Sequence, residues 1–236
     1  MTAEGPTVSI WMRPEGSAVG RPAQWSRAEI TRIALRVADA DGLEAVSMRR
    51  VAAELGTGAA SLYRYVETRE DLLDLMTDAV GAEYELAPPS GDWLADLIAV
   101  GEQARAVFRR HRWLAGLAMT RPVIGPNGIG LIEHFLTLLQ GHPASVEAKM
   151  EAFGMLTGIT AAFALQEQAD PGLQARNLAY IGHALTSGGY PRLAALLSPQ
   201  AQLPPSEELT DRYPDLIARV LTGLLGPLRP WPGSRG

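Results

Sequence analysis

Cysteine is absent from the 236 residues, which removes disulfide frameworks, thiolate-ligated zinc, iron–sulfur clusters and thiol nucleophiles together. Histidine is scarce, with four scattered copies, so neither a metal site nor a cofactor is expected. Long apolar runs are missing too. The least polar stretch, 154–165, carries Thr157 and Thr160 and is shorter than the ~20 residues a membrane-spanning helix needs. Since no basic stretch followed by an apolar run opens the chain, a cytoplasmic protein with no membrane partner is expected. Basic charge is thin as well: Lys149 is the one lysine among 21 basic residues, and the net charge is −5. Coating of nucleic acid through broad phosphate neutralisation is thereby disfavoured, but a small local patch of donors is not.

What is present is helical patterning, on a chain whose 47% hydrophobic content supports a buried core. Residues 1–24 lack periodicity and read as a mostly flexible N-terminal arm. In that arm Arg13 and Arg21 are available to phosphate or a minor groove, and the isolated pair Ile10 and Trp11 offers a point of attachment. From Ser26 the pattern changes. Ser26 and Glu29 are spaced as a capping box, Ile30, Ile33, Ala34, Val37 and Ala38 form one stripe, and Gly42 ends the helix. Ser47 caps a second, shorter helix with Met48, Val51, Ala52 and Leu55 on its buried face, and Gly56 stops it.

A tight turn then leads into a predicted helix of about two turns ending near Val66, anchored by Leu62 and Val66. Thr68 caps the following helix, whose apolar face is Leu72, Leu75, Met76, Ala79 and Val80. The run Pro88, Pro89, Ser90, Gly91 marks a domain boundary. Beyond it the pattern predicts helices over 92–110, 127–140, 145–168, 171–186 and 206–228, the last starting late or kinking at Pro214 after a loose connection through Pro199, Pro204 and Pro205. The expected fold is all-α, with an arm over 1–24, a helix-turn-helix domain over 25–87, a larger helical domain over 88–229 and a tail over 230–236.

The unit that carries chemistry lies between Ser47 and Arg69. A helix that enters a major groove about 12 Å wide must be narrow at its leading end, and Gly58, Ala59, Ala60 and Ser61 meet that need. Ser61 offers a hydroxyl, Ala59 or Ala60 can meet a thymine methyl, and Arg49 is the best candidate for a guanine. Tyr63, Tyr65 and Arg69 are candidates for phosphate and sugar contacts. Four arginines (49, 50, 64 and 69) face two glutamates (54 and 67) in this stretch, a local basic surplus in an acidic chain. Solubilising arginines on an amphipathic helix pair would leave the same surplus.

The stretch SMRRVAAELG over 47–56, followed by SLYRYV over 61–66 and REDLL over 69–73, closely resembles the DNA-binding domain of regulators of the tetracycline-repressor (TetR) family. Shorter matches at Trp113-Leu114, Thr120-Arg121-Pro122 and 125–127 resemble the helical C-terminal domain of the tetracycline-repressor branch. The resemblance implies that Ser47, Arg49, Thr57, Gly58, Ala59, Ala60, Ser61, Tyr63, Tyr65 and Arg69 face double-stranded operator DNA, with Leu62 and Val66 structural. It further implies a homodimer, joined through the helix over 145–168 and the final helix, reading a palindrome. Gly154, Gly158, Ala161, Ala162 and Ala164 would suit such close helix approach, as they would an internal core helix of a monomer.

By the same resemblance, a small-molecule effector binds among the C-terminal helices. Phe108, Trp113, Leu117, Met119, Phe135, Met150, Met155, Ile159 and Phe163 are the candidate lining, apolar and adaptable enough for an apolar or aromatic ligand, though each also suits ordinary core. Tetracycline-binding members use histidines to hold a magnesium chelate, and the matching positions here are Leu117 and Glu85, so a metal-free ligand is expected. The four histidines read as surface or capping residues. The expected function is a repressor released by its effector, with a constitutive DNA-binding dimer or an activator as the alternative. A helical enzyme is a remote third, because the carboxylates Glu102, Glu133, Glu147, Glu151, Glu167 and Asp170 lack a Glu-x-x-His pair, a nucleophile elbow or a phosphate loop.

Overall fold

The computed structural model describes residues 9–15, 24–121, 123–186, 188–197 and 212–226. Arg21, Pro122, the prolines at 199, 204 and 205, the start of the helix expected from 206 and the tail over 230–236 lie outside the described residues. Among the described residues every regular element is a helix.

Local chemistry accounts for the first elements. Helix α1, Arg27–Asp41, opens on a complete capping box between Ser26 and Glu29, which satisfies two orphan amides at once. Helix α2, Met48–Glu54, is capped by the Ser47 hydroxyl, which accepts from the Arg50 amide. Gly56, at φ +68°, makes the left-handed turn that a side chain would disfavour. Helix α3, Ala59–Leu62, is a single turn followed by a non-helical turn over 63–65, shorter than the two turns expected. Helix α4, Arg69–Gly81, carries its own capping box, Thr68 with Asp71.

The larger domain follows as α5 Trp93–Arg110, α6 Leu114–Thr120, α7 Pro126–Leu138, α8 Val146–Glu167, α9 Pro171–Thr186, α10 Pro191–Leu196 and α11 Tyr213–Leu225. Asp92 caps α5 by accepting from the amides of Leu94 and Ala95. Pro214 lies in the first turn of α11, where its missing N–H costs nothing. Helices α6 and α10 have no counterpart in the sequence patterning, since neither opens on a Ser, Thr, Asp or Asn cap like those that mark α1, α2 and α4.

Two cores hold the chain. The second lies within the larger domain and centres on Leu97, Phe135, Leu139, Leu156, Tyr213, Ile217 and Leu221. The first begins with the apolar faces of α1, α2 and α4 around Leu62 and Val66, and runs on without a break into Val107, Phe108, Leu114, Ala115, Leu117, Ala161 and Ala164. The Pro-rich segment at 88–91 therefore interrupts the chain but not the packing: one apolar continuum spans both halves. A polar joint reinforces it. His111 is 5% exposed and lies between the Asp39 and Glu83 carboxylates, with Nδ1 and Nε2 each at 2.8 Å. Trp113 Nε1 also donates to Asp39, at 2.8 Å. His111, one of the histidines expected at the surface or as caps, is the C-cap of α5, and its ring is buried because carboxylates on α1 and after α4 give the imidazole partners.

The arm departs from expectation over 9–15. Residues Ile10–Met12 form one 3-10 turn with Ile10 buried, and Arg13 pairs with Glu67 and Asp71 instead of pointing toward solvent. An isolated apolar pair was enough to dock this segment, because Arg27 on α1 donates to the carbonyls of Ile10, Arg13 and Pro14.

Candidate nucleic-acid interface and effector domain

The turn between α2 and α3 presents the small residues at the surface. Gly58 is the N-cap of α3; Gly58 and Ala60 are exposed, while Thr57, Ala59 and Ser61 are half-buried. Leu62 and Val66 are completely buried and anchor the short helix in the first core. The Thr57 and Ser61 hydroxyls lie 3.2 Å apart, close enough to fix each other's orientation. Ser47 and Arg49 are exposed on the adjoining turn of α2, and Tyr63 is 51% exposed. Of the expected DNA-facing set, Ser47, Arg49, Gly58, Ala60 and Tyr63 are thus exposed and Thr57 and Ser61 half-buried, with Ala59 turned partly toward the core.

Two expected members leave it. Tyr65 is 2% exposed, its ring in the first core and its hydroxyl accepting from the Trp25 amide at 3.4 Å. Tyr65 packs beside Leu62 and Val66 in that core, three residues and one residue away, while Tyr63, two positions before it, falls on the opposite side. Arg69 is half-buried and donates to the carbonyls of Val46 at 3.0 Å and Leu43 at 3.1 Å. Those bonds turn the expected phosphate donor inward, where it satisfies the ends of the α1–α2 connection. Of the local basic surplus, Arg50 is paired with Asp41 and Glu54, whereas exposed Arg64 lies beside the Tyr65 ring with its guanidinium carbon 5.5 Å from the centroid. Arg64 joins Arg49 as surface charge. Its place between two tyrosines was visible in the sequence; its orientation was not.

The nine residues expected to line an effector cavity divide three ways. Phe108, Trp113 and Leu117 belong to the first core; Phe135 lies in the second, with Ile159 and Phe163 packed on its edge. Met119, Met150 and Met155 are exposed. The nine are divided between the two cores and the surface. A cleft of about 440 Å³ opens beside Pro89, Trp93, Leu138, His142 and Pro143 and is lined by none of the nine. Leu117 is buried and Glu85 exposed.

Charge in the larger domain is concentrated where α5 meets the end of α8. Arg105, 5% exposed, donates through Nε and Nη2 to Glu167 at 2.9 and 2.7 Å, and Arg109 donates to the same carboxylate at 2.6 and 2.8 Å. Donation from Arg109 is the main reason the Glu167 carboxyl titrates below its ordinary value. The Arg105 guanidinium also sits 4.9 Å from the Tyr213 ring centroid. Burial pushes the Tyr213 phenol up to about 12, against a hydrogen bond to Thr160 that acts the other way. Burial likewise raises Asp74, against the opposing charge of Arg121.

Known proteins share this architecture. The profile of the family described as "Bacterial regulatory proteins, tetR family" matches residues 30–76, and that of "Tetracyclin repressor-like, C-terminal domain" matches 87–226. The "HTH-type transcriptional repressor DrrR1" of Streptomyces coeruleorubidus is 38% identical over 71% of this chain and 67% of its own length. An HTH-type transcriptional regulator of Saccharopolyspora erythraea is 40% identical over 56% of each chain. Among solved structures, apo ActR from Streptomyces coelicolor superposes with a TM-score of 0.73 at 33% identity, covering 87% of this chain and all of its own. ActR has also been solved in complex with actinorhodin, where the superposition covers 86% of this chain and 98% of ActR.

Proposed function

Because this chain belongs to the TetR family of bacterial transcriptional regulators, we propose that it is a dimeric repressor, released from a palindromic operator when a small apolar or aromatic ligand binds its larger domain. The observation that carries the DNA half is the outward display of Gly58, Ala60, Ser61 and Tyr63 above a fully buried Leu62 and Val66. Small residues let the backbone approach base edges, and the buried pair keeps the short helix from turning over.

Dimerisation follows from how little surface one four-residue helix offers. A second copy doubles the contact and dictates half-sites about one helical turn apart. Unpartnered apolar residues on α8, including Val146, Met155 and Leu165, support an interface along that helix. Ligand control is supported by ActR, which shares the fold and about a third of its sequence, 32% identity in the complex solved with actinorhodin. Actinorhodin is therefore the first compound to test. The family is one of DNA-binding regulators, and no role as a catalyst is assigned.

A footprint over the chain's own promoter, followed by titration of the protected complex with actinorhodin, tests both halves. A two-fold-symmetric footprint lost on titration is expected. An asymmetric footprint or none refutes the operator reading. A footprint that survives actinorhodin and a panel of related aromatic acids and quinones favours constitutive binding.

A further inference from the structure

We infer that residues 9–15 form a strap coupling the loop before α7 to the operator-reading helices, with Trp11 at the effector-domain end and Arg27 at the DNA-binding end. The inference rests on the ligand-responsive reading above but adds to it a route that no relative's description assigns.

At the DNA-binding end, one guanidinium holds two segments together. Arg27 donates from Nη1 to the carbonyls of Ile10 at 3.0 Å and Arg13 at 2.8 Å, from Nη2 to that of Pro14 at 3.1 Å, and from Nε to that of Tyr65 at 2.9 Å. Its backbone amide also donates to Glu15 at 2.5 Å. The Tyr65 carbonyl lies in the turn that ends the reading helix. A guanidinium is a rigid planar fork, so a shift of the strap carbonyls must either carry the Tyr65 carbonyl along or break that bond. Arg13 adds a second tie. It pairs with Glu67 at 2.7 Å and with Asp71, the same carboxylate that caps α4 by accepting from the Thr68 amide.

At the effector-domain end, the Trp11 indole lies so close to Gly125 that a Cβ there would overlap both the indole and the Asp78 carboxylate. Asp78, buried on α4, accepts from Asn127 Nδ2 at 3.1 Å and from the Gly128 amide at 3.0 Å, in the first turn of α7. Movement of the loop at 123–125 therefore presses on two neighbours. One is α4. The other is the strap, which leads past α4 to the turn at 63–66.

Gly125→Ala in the full-length protein drives the strap from its effector-domain end without needing a ligand. Amide exchange is measured by mass spectrometry on peptides covering 62–67, with Trp11→Ala and the double variant alongside. Gly125→Ala should change exchange at 62–67 by threefold or more, and adding Trp11→Ala should return those amides to within about 1.5-fold of the Trp11→Ala single variant. A response confined to 121–128 and α4, or one that persists without the indole, overturns the strap. If Gly125→Ala does not fold, Trp11→Ala and Arg27→Lys replace it. Their effects at 62–67 should not add, since both cut one linkage; additive effects overturn the proposal. The readout is taken on free protein, so absent operator binding with an intact exchange response would count against the DNA-binding reading alone.

Discussion

Tyr63 and Tyr65 differ by two positions in the sequence and by nearly everything in the structure, which makes their substitutions a sharp discriminator. Tyr65 is buried with its ring in the first core, so Tyr65→Ala removes an aromatic side chain from a packed site at a cost of about 3–5 kcal/mol. That is a large part of the ~5–15 kcal/mol that stabilises a typical domain. Tyr65→Phe keeps the ring and loses only the long 3.4 Å bond to the Trp25 amide, which is worth no more than about 1 kcal/mol. Neither effect involves DNA directly. Tyr63, by contrast, is half exposed, and its truncation should leave stability within about 0.5 kcal/mol. In an operator-bound dimer the same truncation deletes two hydrogen bonds, together about 1–3 kcal/mol, or roughly fivefold to somewhat over a hundredfold in affinity. Urea denaturation and fluorescence anisotropy with an operator duplex at fixed salt separate the two quantities. If Tyr65→Phe weakened operator binding as much as Tyr63→Ala while leaving stability untouched, the assignment of Tyr65 to the core would be wrong.

Three further outcomes are expected. Arg69→Gln should cost about 1.5–3 kcal/mol of stability through loss of its charged bonds to the carbonyls of Val46 and Leu43. It should leave the salt dependence of operator binding unchanged, whereas loss of a true phosphate contact from both copies of the dimer would lower that slope by about two. Glu167 titrates below its ordinary value of 4.5, with donation from Arg109 the leading cause. The stabilisation is therefore present above that value and is withdrawn as pH falls through the depressed one; thermal melts in acid should lose part of their pH dependence in Glu167→Gln. Tyr213 is shifted the other way, from 10 to about 12. Stability should decline as pH rises through that interval, because the unfolded chain ionises first, and alkaline melts of Tyr213→Phe should lack this component.

Most helices were legible because their signals sit within a few residues of one another. Ser26 with Glu29, Ser47 before α2, Thr68 before α4 and Gly56 after α2 each act across one turn of backbone, so reading them needs no knowledge of the fold. The same holds for Leu62 and Val66, whose spacing marks them as anchors, and for Gly58 and Ala60, whose small size suits a close approach wherever the helix points. The candidate effector lining was less legible. Large apolar side chains announce burial without saying in which core, so Phe108 and Phe135 look alike in the sequence and lie in different clusters.

Only the tertiary structure decided which way the ambiguous side chains face. Tyr65 turned inward to pack with Leu62 and Val66 in the first core, and Arg69 did so where the carbonyls of Leu43 and Val46, more than twenty residues earlier, accept from it. His111 and Trp113 meet Asp39 across more than seventy residues, and Ile10 and Trp11 dock through Arg27 and Gly125 on opposite halves of the molecule. Caps and turns are closed by neighbours along the chain and are therefore written locally. A buried polar group is satisfied by whatever the fold brings beside it, and that partner is set by packing and not by proximity in sequence.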